Sequence, residues 1–404
     1  MRNCVLTYCL AALVLVCGHS AAQNATSSPS SRFGYGELND NIPTQYRALG
    51  GVSAGMRTAV INPSQPASYT VCDSTTFMFD LAGSVMWTNY GDNNGQRNRA
   101  NGNLEYITLQ FPIWKQHIAF SAGLMPYSAV GYNFSLDNSA GKHEYTVTYE
   151  GEGGISQVYA GLGFNILNWV ALGGNFYYMF GDVTNVTMLT FDEADITGAA
   201  MYKNMEVRNF RFRYGAQLFH TFAKRHDVVL GAVYENRKRM RGEYLQYEIS
   251  TLDSLSVRED GFQTPEYFSV GGSYRFDNRL LVAVDYSCHR WSDALFFGEK
   301  KQLADRSKIS LGVEYRHKQL SRHYAERMFW RAGASLMSSY LPYASAKDLA
   351  VSVGIGLPFR TTASMLNLTV EYNRRHPMPA MVENNLKLTI GVGVSENWFM
   401  KRRL

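Results

Sequence analysis

Residues 386–394 read LKLTIGVGV, in which Leu386, Leu388, Ile390, Val392 and Val394 alternate with Lys387, Thr389, Gly391 and Gly393. Residues 366–373, LNLTVEYN, repeat the pattern, with Leu366, Leu368, Val370 and Tyr372 set against Asn367, Thr369, Glu371 and Asn373. Successive side chains of a strand point to opposite faces, so each segment carries one apolar and one polar face. The same period recurs in 280–289, 309–316 and 210–217. Extending it with turn signals predicts about fourteen strands. They fall near 73–88, 103–115, 116–135, 154–167, 168–181, 205–223, 226–246, 263–276, 279–290, 305–318, 327–339, 347–357, 362–374 and 384–397.

The connections alternate in length. Short ones at 114–117, 167–169, 224–227 and 277–279 take turns with longer polar ones around 89–102, 136–153, 182–204, 247–262 and 291–304. A soluble sandwich also produces alternation. Here, however, the polar faces are rich in charge (Arg211, Arg213, Asp285, Glu314, Arg316, Glu371, Lys387), and short turns at one end with long loops at the other fit a transmembrane barrel. The connection at 319–326 is longer, and that at 340–346 shorter, than this rule prefers. The expected architecture is all-β: a transmembrane antiparallel β-barrel of about fourteen strands, occupying residues 73–404.

Composition supports this reading. Aromatic residues make up 13% of the chain, with 26 Tyr, 22 Phe and 35 Gly, against only 18% charged residues. Barrels need aromatic girdles and small inward residues. Past the N-terminus no apolar run reaches the roughly 18–20 residues of a spanning helix. The net charge of +5 is mild and scattered, with no basic run interleaved with aromatics, so nucleic acid is not an expected partner.

The N-terminus, MRNCVLTYCLAALVLVCGHSAAQ, has a basic start, an apolar run and small residues at Ser20 and Ala22. It reads as a signal peptide over 1–22 that directs export. Cys4, Cys9 and Cys17 leave with it, and Cys72 and Cys288 remain, which is no disulfide framework. Residues 23–72 lack strand alternation and are too rich in Gly and Pro for one long helix, yet too apolar for a free tail. They are expected to fold back into the lumen as a plug.

Within that segment, RALGGVSAG followed by INPSQPASY resembles the N-terminal signature of the FadL-type outer-membrane transporters of long-chain fatty acids and other hydrophobic compounds. GLMPYSAVGYNF at 123–134 and the ending ENWFMKRR agree with it. Ser64 and Pro66 stand where the family has a small residue and glycine, and the chain ends MKRRL instead of on an aromatic residue. The resemblance implies a location in the bacterial outer membrane, contact with outer-membrane lipid and insertion by the barrel-assembly machinery. It also implies passive transport of a hydrophobic small molecule without cofactor or metal. Gly50, Gly51, Gly55, Asn62 and Pro63 then form the plug motif. Gly123, Pro126 and Tyr127 form a lateral gate in a kinked third strand. Met188, Leu189, Phe191, Leu252 and Leu255 stand where the family places a hydrophobic capture groove, although solvated loops with incidental apolar residues are an equal reading. Some members serve protein secretion, so a secretion-system partner is the alternative role.

Two readings rest on the residues themselves. GVSAG matches the G-x-S-x-G pattern around Ser53, but a nucleophile elbow needs a strand before the serine and a helix after it. Neither is expected here, so no catalytic residue is assigned, and the glycines are read as letting backbone approach the wall. Pro126 lies inside a strand although it cannot donate a ladder hydrogen bond, so pairing must be interrupted there, by a bulge at one rim or by the gate. The inward charges are read as salt-bridged layers that hold the plug, with the second reading that one arginine grips a fatty carboxylate. Histidines such as His289 and His376 show no metal spacing.

Overall fold

The computed structural model describes residues 25–92, 95–140, 143–191, 193, 195–240, 243–249, 254–259, 261–318, 321–344, 346–359, 364–379 and 381–397. The signal-peptide segment, Leu252 and the C-terminal WFMKRR lie outside them.

Fourteen antiparallel strands close on themselves. They are β1 (Thr76–Asp92), β2 (Gly95–Trp114), β3 (Ile118–Ala140), β4 (His143–Leu167), β5 (Val170–Phe191), β6 (Ala199–Phe222), β7 (His226–Glu235), β8 (Glu266–Phe276), β9 (Leu280–Arg290), β10 (Arg306–Tyr315), β11 (Phe329–Met337), β12 (Asp348–Pro358), β13 (Met365–Met378) and β14 (Met381–Asn397). β14 pairs with β1 from Val382↔Gly91 to Asn397↔Thr76, which closes the ring of strands. The alternation read from sequence sets the two faces. Ile309 and Leu311 are 54% and 49% exposed on the outer wall, whereas Ser310 between them is 2% exposed toward the lumen.

Tight turns mark one rim. Between β8 and β9, Asp277 and Asn278 both take left-handed backbone (φ 50° and 54°), the requirement of a two-residue hairpin matched to strand twist. At the other rim, much of what reads as loop at 89–102, 136–153 and 182–204 is strand. β3 runs to Ala140 and β4 starts at His143, while β5 runs to Phe191 and β6 starts at Ala199. These stretches, such as EYTVTYE and VTNVTMLT, carry β-branched and aromatic residues that pair well without a lipid-facing apolar parity. Past β7, the chain adds the short strands Lys238–Met240, Glu243–Ile249, Ser254–Glu259 and Phe262–Thr264 before β8.

Residues 25–72 are largely buried against the inner wall. They form a turn of helix at Thr44–Arg47, a 3-10 turn at Pro66–Val71 and a two-residue strand, Glu37–Leu38, that the sequence pattern does not suggest. The glycine run at 50–55 lies against glycines of the wall. A Cβ on Gly333 of β11 would come within 2.0 Å of the Gly50 nitrogen, and one on Gly55 within 2.6 Å of the Gly272 nitrogen of β8. Gly50 itself has φ +72°.

Gly333→Ala is therefore expected to push residues 49–50 off β11 at a cost of about 1–3 kcal/mol. Gly174→Ala, whose added Cβ meets nothing closer than 3.8 Å, should be neutral. Thermal melting of the detergent-solubilised barrel checks this, and equal midpoints for the two variants would contradict the close approach.

Candidate functional site

One ladder in the barrel is incomplete. β2 and β3 pair from Trp114↔Ile118 at the tight-turn rim as far as Ile107↔Leu124, and among the described residues no pairing continues beyond. On the other side of β3 the ladder with β4 runs the full length, with a register shift between Pro126 and Ser128 that leaves Tyr127 as an extra residue. This is a β-bulge, the structure that tolerates a proline without an amide hydrogen. Pro126 pairs with Ser156, which pairs in turn with Phe180, a lipid-facing ring. The opening therefore lies at the height of the apolar band. Gly123 sits in regular ladder positions opposite Thr108 and Tyr159, so the irregularity begins three residues after it.

The N-terminal segment fills the opening like a surrogate strand. Glu37 and Leu38 pair antiparallel with Ala129 and Ser128 of β3. The Asn39 amide donates to the Tyr127 carbonyl (2.9 Å), and the Gly131 amide donates to the Ser31 hydroxyl (3.1 Å). On the β2 side, the Asn103 side chain donates to the Ala25 carbonyl (2.7 Å) and the Ser27 hydroxyl to Asn101 (3.0 Å). Behind these contacts lies a cavity of about 330 Å³, lined among others by Asn103, Leu104, Pro126, Ser128, Arg306 and Arg375.

Ion pairs hold the segment from inside. Arg306 and Lys308 of β10 clamp Asp40 at 2.6 and 2.7 Å, Arg47 reaches Glu105 at 3.0 Å, and Arg375 of β13 pairs with Glu37. Burial alone would raise the Asp40 carboxyl, but Arg306 and Lys308 outweigh it and hold it well below the usual carboxylate range. Deeper in the wall, Glu235 takes both Arg211 and Arg213, and Glu314 takes Arg331. Of the inward charges read as salt-bridged, Arg211, Arg213 and Glu314 pair within the wall and Glu371 reaches Arg47 of the segment at 3.7 Å, whereas Asp285 takes backbone amides instead of an ion pair. Sequence reasoning missed Glu235, Glu105, Arg306, Lys308 and Arg375. Their inward parity carried a signal, as Arg306 and Lys308 share it with Ser310 and Glu314. Glu37 and Asp40, in a segment without period, had none.

Toward the outer rim the lumen turns apolar. Tyr127, the bulged residue, is buried in a cluster with Tyr35, Val130, Met179, Trp291 and Tyr340. Tyr35 and Trp291 rings lie 5.2 Å apart, and Trp291 and Tyr340 rings 5.5 Å apart. Met188, Leu189 and Phe191 are half-buried on the outer extension of β5 instead of on a loop, with the Phe191 ring 5.8 Å from Tyr145. Leu255 belongs to the strand Ser254–Glu259.

The GVSAG run has a clear structural use. The backbone amides of Ser53, Ala54 and Gly55 all donate to the carboxylate of Asp285 on β9, at 2.6 Å for Ala54 and 3.3 Å for Gly55. Successive amides converging on an anion form a nest. Ser53, Asp285 and His289 line one pocket of about 60 Å³, but the last two are four residues apart on one strand, roughly 13 Å. Asp285 therefore cannot orient His289 toward Ser53. Asn62 also serves the backbone: its side-chain amide donates to the Ser53 carbonyl (3.0 Å). The Pro63 carbonyl accepts from Asn175 (2.8 Å), Tyr177 (2.9 Å) and Arg213 (3.3 Å). The His289 ring packs against Tyr267 in a tilted arrangement, with ring centroids 4.3 Å apart. Cys72 and Cys288 are buried and free.

Comparison with known proteins agrees with this architecture. The profile of a family described as BamG matches residues 4–404. No curated protein matches. Among solved structures, the Pseudomonas putida toluene transporter TodX superimposes with a TM-score of 0.59 at 15% identity, covering 91% of this chain and 99% of that one. The Ralstonia pickettii toluene transporter TbuX gives 0.59 at 14%, covering 87% and 97%. A Pseudomonas aeruginosa FadL homologue gives 0.54 at 12%, covering 90% and 99%. At such identities the likeness is one of fold. The fold is that of the FadL-type barrels, and the closed fourteen-strand wall with its outward apolar band is that of a protein of the bacterial outer membrane.

Asp285→Ala is expected to leave three buried amides without an acceptor, at about 1–3 kcal/mol each, and to expose residues 49–57 to added protease. Ser53→Ala, which keeps the amide, should leave both stability and protection unchanged. Protection lost in Ser53→Ala but kept in Asp285→Ala would reverse the assignment.

Proposed function

The chain belongs to the BamG family, and from its barrel we propose that it is an outer-membrane channel for small hydrophobic molecules, which leave sideways through the gap between β2 and β3. The observation that carries this reading is the end of that ladder at Ile107↔Leu124, with a cavity behind it and apolar rings above it. Proteins of the same fold are described as toluene transporters, which supports the class of cargo.

A hydrophobic molecule arriving from outside first meets apolar side chains of the outer strands, with Met188, Leu189 and Phe191 as a capture surface. It then settles among the rings around Tyr127. Removing apolar surface from water drives this step at roughly 25 cal/mol per Å². Further descent is opposed, because the plug formed by residues 25–72 and the paired charges of Asp40, Arg306, Lys308 and Arg375 fill the lumen below. The sideways path leads instead into lipid. It opens when residues 25–39 shift from the edges of β2 and β3, with Pro126 and Tyr127 forming the sill. No energy source is required, since the cargo moves down its gradient into the membrane.

A second reading is that the barrel is an outer-membrane part of a protein secretion system. The observation that favours it is the lumen itself, which is filled by a segment held through several ion pairs.

The pair Leu38 and Ser128 offers a test of the first reading. They stand in register, at the 4.5–5.5 Å typical of cross-strand neighbours, which suits a disulfide. In cells carrying Leu38→Cys with Ser128→Cys, uptake of labelled long-chain fatty acid and labelled toluene should fall at least tenfold when oxidised and recover with reductant. Uptake that is equal in locked and unlocked barrels would contradict lateral exit. No uptake by the unmodified protein would transfer the assignment to the secretion role.

A further inference from the structure

At the tight-turn end, which faces the periplasm in this orientation, the pairing of inward charges breaks down. Higher in the lumen, arginines meet carboxylates, as in Arg211 and Arg213 with Glu235, Arg331 with Glu314, and Arg306 with Asp40. Here a cavity of about 430 Å³ is lined by Arg57 of the N-terminal segment and Arg275 of β8, together with Asn165, His220, Thr221 and Asp227. Arg57 donates to the Ala67 carbonyl (3.0 Å), the Gln217 amide oxygen (3.2 Å) and the Thr70 hydroxyl (2.9 Å), all of them neutral. Its guanidinium lies 3.8 Å from the centre of the Phe219 ring. Arg275 has no ion pair or hydrogen bond among the described residues. Asp227 stands opposite it in the ladder but takes the Thr221 hydroxyl at 2.7 Å and forms no ion pair with it.

We propose that this periplasm-facing cavity binds an anionic group, a carboxylate or a phosphate, between the guanidiniums of Arg57 and Arg275. Arginine presents a planar fork that matches both oxyanions. A half-buried guanidinium with only neutral partners lacks the compensation that the other lumenal arginines have. A further observation agrees: burial with no facing carboxylate pulls the Arg57 guanidinium down to about 10. The cavity volume is that of a small-ligand site. This site is separate from the gap between β2 and β3 and does not depend on what passes there.

The test uses the full-length barrel purified in a nonionic detergent and titrated calorimetrically with octanoate, with inorganic phosphate and with octanol. Folding of each variant is checked by heat-modifiable gel mobility. The proposal expects saturable binding of at least one anion, weakened tenfold or more by Arg275→Gln, partly restored in Arg275→Lys, and falling with added salt. Octanoate binding alone would identify the head of an amphiphile, and binding of both anions a free oxyanion. Absence of saturable binding for either anion would overturn the site, as would equal affinity for octanol and octanoate, or an affinity unchanged in folded Arg275→Gln.

Discussion

Inside a bilayer every backbone N–H and C=O must find a protein partner, because lipid offers none. Among the described residues, the ladder between β2 and β3 is the one that stops short, beyond Leu124. On β3 the N-terminal segment supplies backbone partners there, with a two-residue strand, the Ser31 hydroxyl and the Asn39 amide, while β2 reaches Ala25 and Ser27 through the side chains of Asn103 and Asn101. What fills the lumen therefore also completes the wall. A segment held by side chains and a few backbone bonds can leave more easily than a continuous strand, which is why the exit is proposed at this place.

The charges follow from the same arrangement. Strand alternation turns Arg211, Arg213, Arg306 and Arg375 inward, and a cation toward lipid at mid-membrane would cost about 2–4 kcal/mol. Once inside, they need partners, and the N-terminal segment supplies Glu37 and Asp40 while accepting Glu105 on Arg47. The Asp285 carboxylate uses a different currency, three backbone amides from residues 53–55. A sequence that resembles a catalytic elbow is here an anion nest tied to the wall.

The barrel was legible in the chain because a period of two survives in every spanning segment, and the lipid-facing parity is nearly pure in LKLTIGVGV and LNLTVEYN. The short turns were legible for the same reason, as breaks in that period. The outer hairpins were not, since EYTVTYE and VTMLT above the membrane need no apolar face and so read as loop. Pro126 announced an interruption, and the bulge at Tyr127 is that interruption. The strand Glu37–Leu38 and the partners Glu37 and Asp40 were invisible, because they lie in a segment whose conformation is dictated by the wall it meets and carries no period of its own. Gly123, expected within the kink, is a regular ladder residue whose missing side chain leaves room for Thr108 and Tyr159.

The central claim is that residues 25–39 complete the wall and leave it when cargo passes. Hydrogen exchange at the amides of Asn39 and Gly131, which bond to the Tyr127 carbonyl and the Ser31 hydroxyl, measures this most directly. In the barrel without ligand both amides should be protected, and added long-chain fatty acid or toluene should speed their exchange while the Ile107↔Leu124 end of the ladder stays protected. Exchange at Asn39 and Gly131 that is unchanged by either compound, under conditions where uptake proceeds, would contradict the account.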